Sequence, residues 1–396
     1  MSSQNVKPLA GVRVLEFGQI AAGPFVGSLL ADLGADVVKV ERPVVGDGLR
    51  AWPPLTAGTA GDVFSENFAS INRNKRSITA DFKNKNDVEH LKNLVTVCDV
   101  VIENYRPGVL PRLGLGYEDF KKIKPKLVYC SVSGFGQIGE NATKGAFDVT
   151  VQAFSGLMSV TGETDGNPIK CGVPVGDFCA GLYAAYAILA RLMQARQTGL
   201  GAYIDCSMLG SLIGISALQT SEFFGTQNTP QALGSAHPRN APYQAFRSKD
   251  EYFVIAAGND RLWEEVAEAV GLSYLTADPR FKTQILRAQN QKDLVALLQP
   301  EFEKETAQFW LEEMDIRGVP CSPINTFPEV LNSDQIKSMD LVHSMTLPNN
   351  AQTKTTAFPI KMTDFDFEIY RSPPSLGAHN KEVTEEWLKM PKGIAE

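Results

Sequence analysis

The sequence predicts an α/β protein: an open parallel sheet in a large first domain, followed by a smaller α/β domain. Three observations predict it. A compact strand–turn–helix–strand unit opens the chain, further apolar strand candidates alternate with helical stretches up to residue 206, and the composition changes near residue 225. At 396 residues the chain is also too long for one ordinary core, so two domains are expected.

Residues 12–17, with Val12, Val14, Leu15 and Phe17, form a buried strand, and residues 18–23 form a turn. Pro24 suits the first turn of a helix because its missing N–H has no partner there; the helix continues through 25–33 and stops at Gly34. Residues 37–40 are the next strand. A βαβ unit this short makes the two strands parallel. Further strands are expected at 78–82, 100–103, 127–132 and 203–206, and a second apolar helix near 209–224.

Residues 225–242 are rich in Gly, Thr, Asn, Gln and Pro, the composition of a linker or an active-site loop. A strand at 252–256 and helices at 260–270 and 291–302 follow, which reads as the smaller domain. From about Pro328 the chain is irregular and dotted with prolines. The expected division is 1–224 for the large domain, 225–327 for the small one and 328–396 for a segment returning to the large domain.

Composition narrows the function. With 43% hydrophobic and 21% charged residues the chain is an ordinary globular one, and its net charge of −7 argues against a general nucleic-acid or anionic-membrane binder. The first seven residues lack the apolar core of a signal peptide, and the apolar stretch 181–190 ends at Arg191, too short to span a bilayer. Six cysteines lie far apart without a C-x-x-C pair and are expected as reduced, buried thiols of a cytoplasmic protein. The four histidines are scattered, so no metal site is expected.

Asp177 stands at the head of a long apolar, small-residue run reaching Met193. Aspartate there can simply cap the helix, accepting N–H groups that the first turn leaves unpaired. Two details favour chemistry instead. Position 180 is alanine, so no capping box is completed, and the helix is apolar on nearly every face, which predicts burial. A carboxylate at the dry end of a core helix stays ionised beside N–H dipoles and leaves donors for a developing oxyanion.

The turn from Gly18 to Gly23 joins a strand to a helix, where backbone N–H groups can cradle phosphate, or where a plain tight turn suffices. It lacks G-x-G-x-x-G, so a nicotinamide enzyme is a weak alternative, kept open by Glu41 near a ribose-binding position. Cations recur close to strand ends: Arg42; Arg73, Lys75 and Arg76; Arg106 and Arg112. Each alone is ordinary solvated surface. Gathered on one rim of a parallel sheet they would neutralise a polyphosphate, with arginine making bidentate contacts.

These segments resemble the class III coenzyme A transferases, the family that includes formyl-CoA transferase, succinyl-CoA:glutarate CoA-transferase and, as a divergent branch, the 2-methylacyl-CoA racemases. The resemblance runs from Pro8 to His379. It is carried by Ala22, Gly23 and Pro24; by 34–42, with Gly34, Asp36, Lys39, Glu41 and Arg42; by 72–77, with Asn72, Arg73, Asn74, Lys75 and Arg76; by 103–108, with Asn104, Tyr105 and Arg106; and by Gly176 and Asp177. The resemblance implies a Rossmann-like large domain and a smaller domain joined by two linkers, with two such rings interlocked into a homodimer. It implies CoA binding through Ile20, Arg42, Asn104 and Arg112, with Tyr105 beside the nucleotide, and it matches Asp177 to the catalytic aspartate.

The expected reaction moves CoA from an acyl-CoA to an acid through aspartyl anhydride and aspartyl-CoA thioester intermediates, with CoA thioesters as substrates and no permanently bound cofactor. Oxyanion donors are expected from backbone N–H groups near Gly136 and Gln137 or Gly258 and Asn259. Two departures shape the substrate. The racemase branch places a proton-shuttling histidine where this chain has Phe147, so two-base epimerisation is disfavoured. The glycine run of formyl-CoA transferases is missing from 256–261, so succinyl-CoA and a short dicarboxylate are expected, with His237, Arg239 or Arg247 meeting the acceptor's distal acid group. The alternatives are a 2-methylacyl-CoA isomerase and a non-catalytic CoA-binding homologue.

Overall fold

Six strands carry the first part of the molecule: β1 (Arg13–Phe17), β2 (Asp36–Glu41), β3 (Lys75–Thr79), β4 (Val100–Glu103), β5 (Val128–Ser133) and β6 (Ala202–Ser207). They pair in the order β3-β2-β1-β4-β5-β6, all parallel, with Val14 opposite both Val37 and Val100. The chain therefore winds outward from β1 in one direction, returns, and winds outward from β4 in the other. β1 and β4 stay paired to their last residues, Phe17 and Glu103, and the connections beyond them diverge to opposite faces of the sheet, leaving a crevice.

Successive strand side chains point to opposite faces, and here both faces are covered. Val14, Val37, Val100 and Val128 pack with Val26 and Leu30 of helix α1 (Ala22–Asp32). Their neighbours Leu15, Val38, Val101 and Tyr129 join Leu91 and Leu94 of helix α2 (Lys85–Val95) on the other face. A short helix, α3 (Asp148–Phe154), and a long one, α4 (Val175–Thr198), complete the site's frame. Ala180, Ala184, Ile188 and Leu192 of α4 belong to the same core as α1. Gly199, at φ 75°, ends α4 in the left-handed conformation that glycine adopts without strain.

The computed structural model describes residues 7–389. They form two units, 7–157 with 171–225 and 335–389, and 158–170 with 226–334. The second unit is built on an antiparallel sheet of β7 (Tyr243–Arg247), β8 (Tyr252–Ala256) and β9 (Cys321–Pro323), in the order β9-β8-β7. Phe246, Phe253, Trp263, Val266, Phe302 and Trp310 are central to its core.

Several expectations are corrected. β3 begins at Lys75 rather than 78, because the charged heads of Lys75 and Arg76 find internal partners and need not stay outside the sheet. α4 starts two residues before Asp177 and runs for 24 residues, long enough to cross a bilayer by length, and it is not buried all round. Leu182, Tyr186 and Met193 are exposed on the chain. The helix expected at 209–224 is two, Met208–Ile215 and Ala217–Thr226, interrupted at Ser216. The proline-dotted segment holds a hairpin, Val342–Thr346 with Gln352–Thr356, and a helix, Asn380–Leu388, whose Trp387 is buried in the first unit. All six cysteines are free, but only Cys98 and Cys130 are fully buried.

Candidate active site

The crevice at the reversal point holds a cavity of about 370 Å³. One wall is the turn after β1 with Gln19, Ile20 and Ala22, and another is the segment after β4 with Asn104, Tyr105 and Arg106. Lys144, Phe147, Asp148 and Asp177 close it. Asp177 lies in the first turn of α4, whose cap position is Pro174. It is therefore not the capping residue.

Three groups act on the Asp177 carboxyl. Burial raises its pKa, the negative Asp148 raises it further, and the Ala22 backbone N–H holds it down; the outcome is a pKa of about 6. At neutral pH it is thus ionised and half-withdrawn from water, a state suited to a carboxylate nucleophile. Asp148 is itself fixed: one oxygen accepts the Gly176 N–H at 2.8 Å and the other accepts the Gln152 side-chain amide at 2.6 Å. The bond to Gly176 ties Asp148 to the residue preceding Asp177, so the distance between the two carboxylates is set by backbone.

The turn after β1 is held from the β4 side. Asn104 accepts the Gln19 N–H at 2.8 Å through Oδ1 and donates through Nδ2 to the Gln19 carbonyl at 2.8 Å. The Gln19 side-chain amide donates to the Tyr105 hydroxyl at 2.7 Å. Gly23 permits this grip, since a Cβ there would come within 3.1 Å of the Asn104 side chain.

The expected site residues separate into three groups. Ile20, Asn104, Tyr105 and Arg106 line the cavity with Asp177. Arg42 and Arg112 do not line it, but both are exposed on the same C-terminal side of the sheet, following β2 and β4. Arg73, Lys75 and Arg76 sit at the opposite, N-terminal end of β3, and their charges are taken up internally. Arg73 pairs with Asp32 at 2.6 Å, Lys75 with Glu16 at 2.8 Å, and Arg76 with Asp36, Glu382 and Glu386. Buried on carboxylates, these three are not placed for a phosphate.

Three of the four expected oxyanion donors already have acceptors. The Gly136 N–H donates to Ser133 Oγ at 3.1 Å and the Gln137 N–H to Asp205 at 2.9 Å. Within the second unit, the Gly258 N–H donates to the Ala256 carbonyl at 3.1 Å. Asn259 caps the helix Asp260–Ala269 by accepting the Leu262 N–H at 3.0 Å. His237 stacks on Tyr243 at 5.0 Å and accepts the Arg239 N–H at 3.1 Å; burial and the Arg239 charge lower its basicity. Arg247, also of the second unit, is exposed at the end of β7.

Sequence reasoning missed Gln19, Ala22 and Lys144. Gln19 and Ala22 were signalled by the strand–turn–helix junction but could not be told from turn residues. Lys144 had no signal, being a lone lysine in a loop. Its neighbour Gly145 matters sterically: a Cβ there would lie 2.6 Å from the Arg106 guanidinium.

A doubly wound sheet with a half-buried carboxylate and a cation-bearing rim at its reversal point is an α/β architecture whose crevice suits an anionic ligand. The chain belongs to CoA-transferase family III, whose family model matches residues 9–380, and it is an enzyme that transfers CoA. It is 38% identical over 392 residues to the succinyl-CoA:glutarate CoA-transferase of Mus musculus, covering 99% of this chain and 89% of that one. It is 35% identical to the succinate–glutarate CoA-transferase of Agrobacterium fabrum, covering 96% of this chain and 95% of that one. Among solved structures, a CAIB/BAIF family protein from Brucella suis superposes with a TM-score of 0.85 at 37% identity, covering 97% of this chain and 100% of that one.

Proposed function

We propose that this protein transfers CoA from succinyl-CoA to a short dicarboxylic acid, with Asp177 as the nucleophile. The observation that carries the reading is the half-buried, ionisable carboxylate of Asp177 in the crevice beside Ala22. The relatives named for succinyl-CoA and glutarate support the substrate class.

In the first step an Asp177 oxygen attacks the succinyl-CoA thioester carbonyl. The C–S bond breaks, giving a mixed anhydride on Asp177 and CoA thiolate. The thiolate then attacks the aspartyl carbonyl of the anhydride and expels succinate, leaving an aspartyl-CoA thioester. The acceptor carboxylate attacks that thioester, forming a second anhydride and releasing the thiolate again. Attack of the thiolate on the acceptor's acyl carbon completes the new thioester and returns Asp177 as carboxylate. Each activated acyl bond is exchanged for another, so no external energy source enters. Each anhydride is hydrolysable, which is why a crevice that limits water is needed.

Arg42, Arg106, Arg112 and Lys144 would meet the phosphates of CoA, with Tyr105 against the nucleotide and the backbone at Ile20 and Asn104 lining its path. Phe147, 71% exposed at the cavity, supports transfer over epimerisation because its ring cannot carry a proton. The exposed apolar face of α4, with Leu182, Tyr186 and Met193, together with Leu218 and Phe224, supports a homodimer in which a second copy covers it.

The test is incubation with succinyl-CoA and a panel of acids, followed by mass analysis of CoA thioesters. A new dicarboxyl-CoA is expected, and peptide mapping should find the CoA adduct on Asp177. No new thioester from any acid would refute the reading.

A further inference from the structure

Beneath the turn that ends β1 lies a buried ionic cluster that none of the transfer steps uses. Lys39 of β2 pairs with Glu16 at 3.0 Å and with Asp47 at 2.8 Å, and Lys75 pairs with the other oxygen of Glu16 at 2.8 Å. All four side chains are fully buried. Gly27 makes room for them, since a Cβ there would overlap the Glu16 carboxylate at 1.9 Å. Two cations and two anions balance. Such a set contributes little net stability, because desolvation offsets the attraction, so its value must be sought in what else it holds.

What it holds is the backbone of the turn. Lys39 Nζ donates to the Gly18 carbonyl at 2.7 Å, Asp47 accepts the Ile20 N–H at 3.0 Å and the Leu49 N–H at 2.9 Å, and Lys75 Nζ donates to the Pro24 carbonyl at 2.7 Å. Between the Lys39 and Asp47 grips, Ile20 has φ 63°. A β-branched residue avoids that left-handed conformation, and keeps it only when its surroundings over-determine it. Two residues further on, Ala22 lines the same cavity as Asp177, and its backbone N–H acts to hold the Asp177 pKa down.

We infer that Lys39 and Asp47 are positioning residues for Asp177: their buried pair holds the strained turn at 18–20 so that Ala22 presents its N–H to the carboxylate. The inference rests on Asp177 being the reactive group. Without the grip, Ile20 relaxes to negative φ, the following peptide turns, and the N–H leaves Asp177. The other charged and titratable groups around Asp177 are Asp148 and the cavity-lining Tyr105, Arg106 and Lys144; of these Tyr105 also feels the opposed charges of Lys39 and Asp47 and accepts the Gln19 side-chain amide of the same turn.

The double variant Lys39→Met/Asp47→Leu separates positioning from stability. It removes one cation and one anion together and leaves Glu16 with Lys75, so no buried charge is left unpaired; what is lost is the partners of the Gly18 carbonyl and the Ile20 and Leu49 N–H groups. The melting temperature should fall by about 5–10 °C, leaving the protein folded under the assay. The Asp177 carboxyl, followed by carbon NMR in aspartate-labelled protein, should titrate about one pH unit higher than in the parent. Turnover with succinyl-CoA and the best acid should fall about 30-fold. A folded double variant with the parental Asp177 titration and parental turnover would overturn the inference. If the double variant does not fold, Asp47→Asn decides. It keeps an acceptor for Ile20 but loses the charge facing Lys39, so an intermediate upward shift supports the inference and a parental titration overturns it. The NMR titration needs no turnover, so a parent that transfers nothing would refute the proposed function while leaving this inference to its own readout.

Discussion

At the start of β3, Arg73, Lys75 and Arg76 reach into the protein and end on Asp32, Glu16 and Asp36, whereas beyond the C-terminal ends of β2 and β4, Arg42, Arg106 and Arg112 are exposed. Both groups are basic residues beside strands of one parallel sheet. They differ in which end of the strand they occupy. At the N-terminal end the helices arrive and close the layer, so a cation there meets the side chains of packed elements and must be neutralised by them. At the C-terminal end the turns diverge around the crevice, and a cation remains available to an anion from outside. Charge in the sequence therefore becomes a binding surface only where topology leaves space in front of it.

The sharpest expected contrast concerns the group at the centre of the open end. Asp177→Ala should lower CoA transfer by about 10⁴-fold or more, as loss of a covalent nucleophile does elsewhere. CoA affinity by calorimetry should change little. If transfer continues at a comparable rate, the open end is a binding site only, and the chemistry lies elsewhere.

The contrast between the two ends can be broken directly. Arg76→Met leaves Asp36 and Glu386 without their cation and Glu382 with Arg371 alone, and should lower stability to urea by about 2 kcal/mol, with KM for succinyl-CoA unchanged. Arg42→Gln should do the reverse. Its loss of one charge-assisted contact raises KM about tenfold and leaves the urea midpoint in place. A KM effect from Arg76→Met, or none from Arg42→Gln, would erase the distinction drawn between the ends.

The same distinction explains how far the sequence could be read. Strand-period apolar runs at 12–17, 37–40 and 100–103, the turn at 18–23 and the helix led by Asp177 were legible because local patterning fixes them. The full strand order was not, because it depends on which distant strands pair. The internal role of Arg73, Lys75 and Arg76 was hidden for the same reason: their partners Asp32, Glu16 and Glu382 lie tens to hundreds of residues away. Backbone donors were hidden in another way. Every residue carries an N–H, and only the folded turn shows that Ala22 aims its own at Asp177 while Gly136 and Gln137 have already found acceptors. The exposed face of α4 was misjudged because an apolar helix predicts burial without saying by what.

The smallest expected effect tests whether Asp148 acts on Asp177 through charge. As the proposed nucleophile Asp177 has to be ionised to attack, so kcat/KM should fall as pH drops through about 6, its pKa in the folded protein. Asp148 raises that pKa because a second negative charge nearby disfavours ionisation. Asp148→Asn keeps an oxygen to accept the Gly176 N–H and an amide of the same shape, while removing the charge. The pKa of Asp177 should then fall, and the acid limb of kcat/KM should move to lower pH by about half a unit. This is opposite in sign to the shift expected when the turn at 18–20 is released, where a stabilising donor is lost. A limb that stays in place in Asp148→Asn would mean that burial alone sets the Asp177 pKa, and that Asp148 serves only to hold the start of α4.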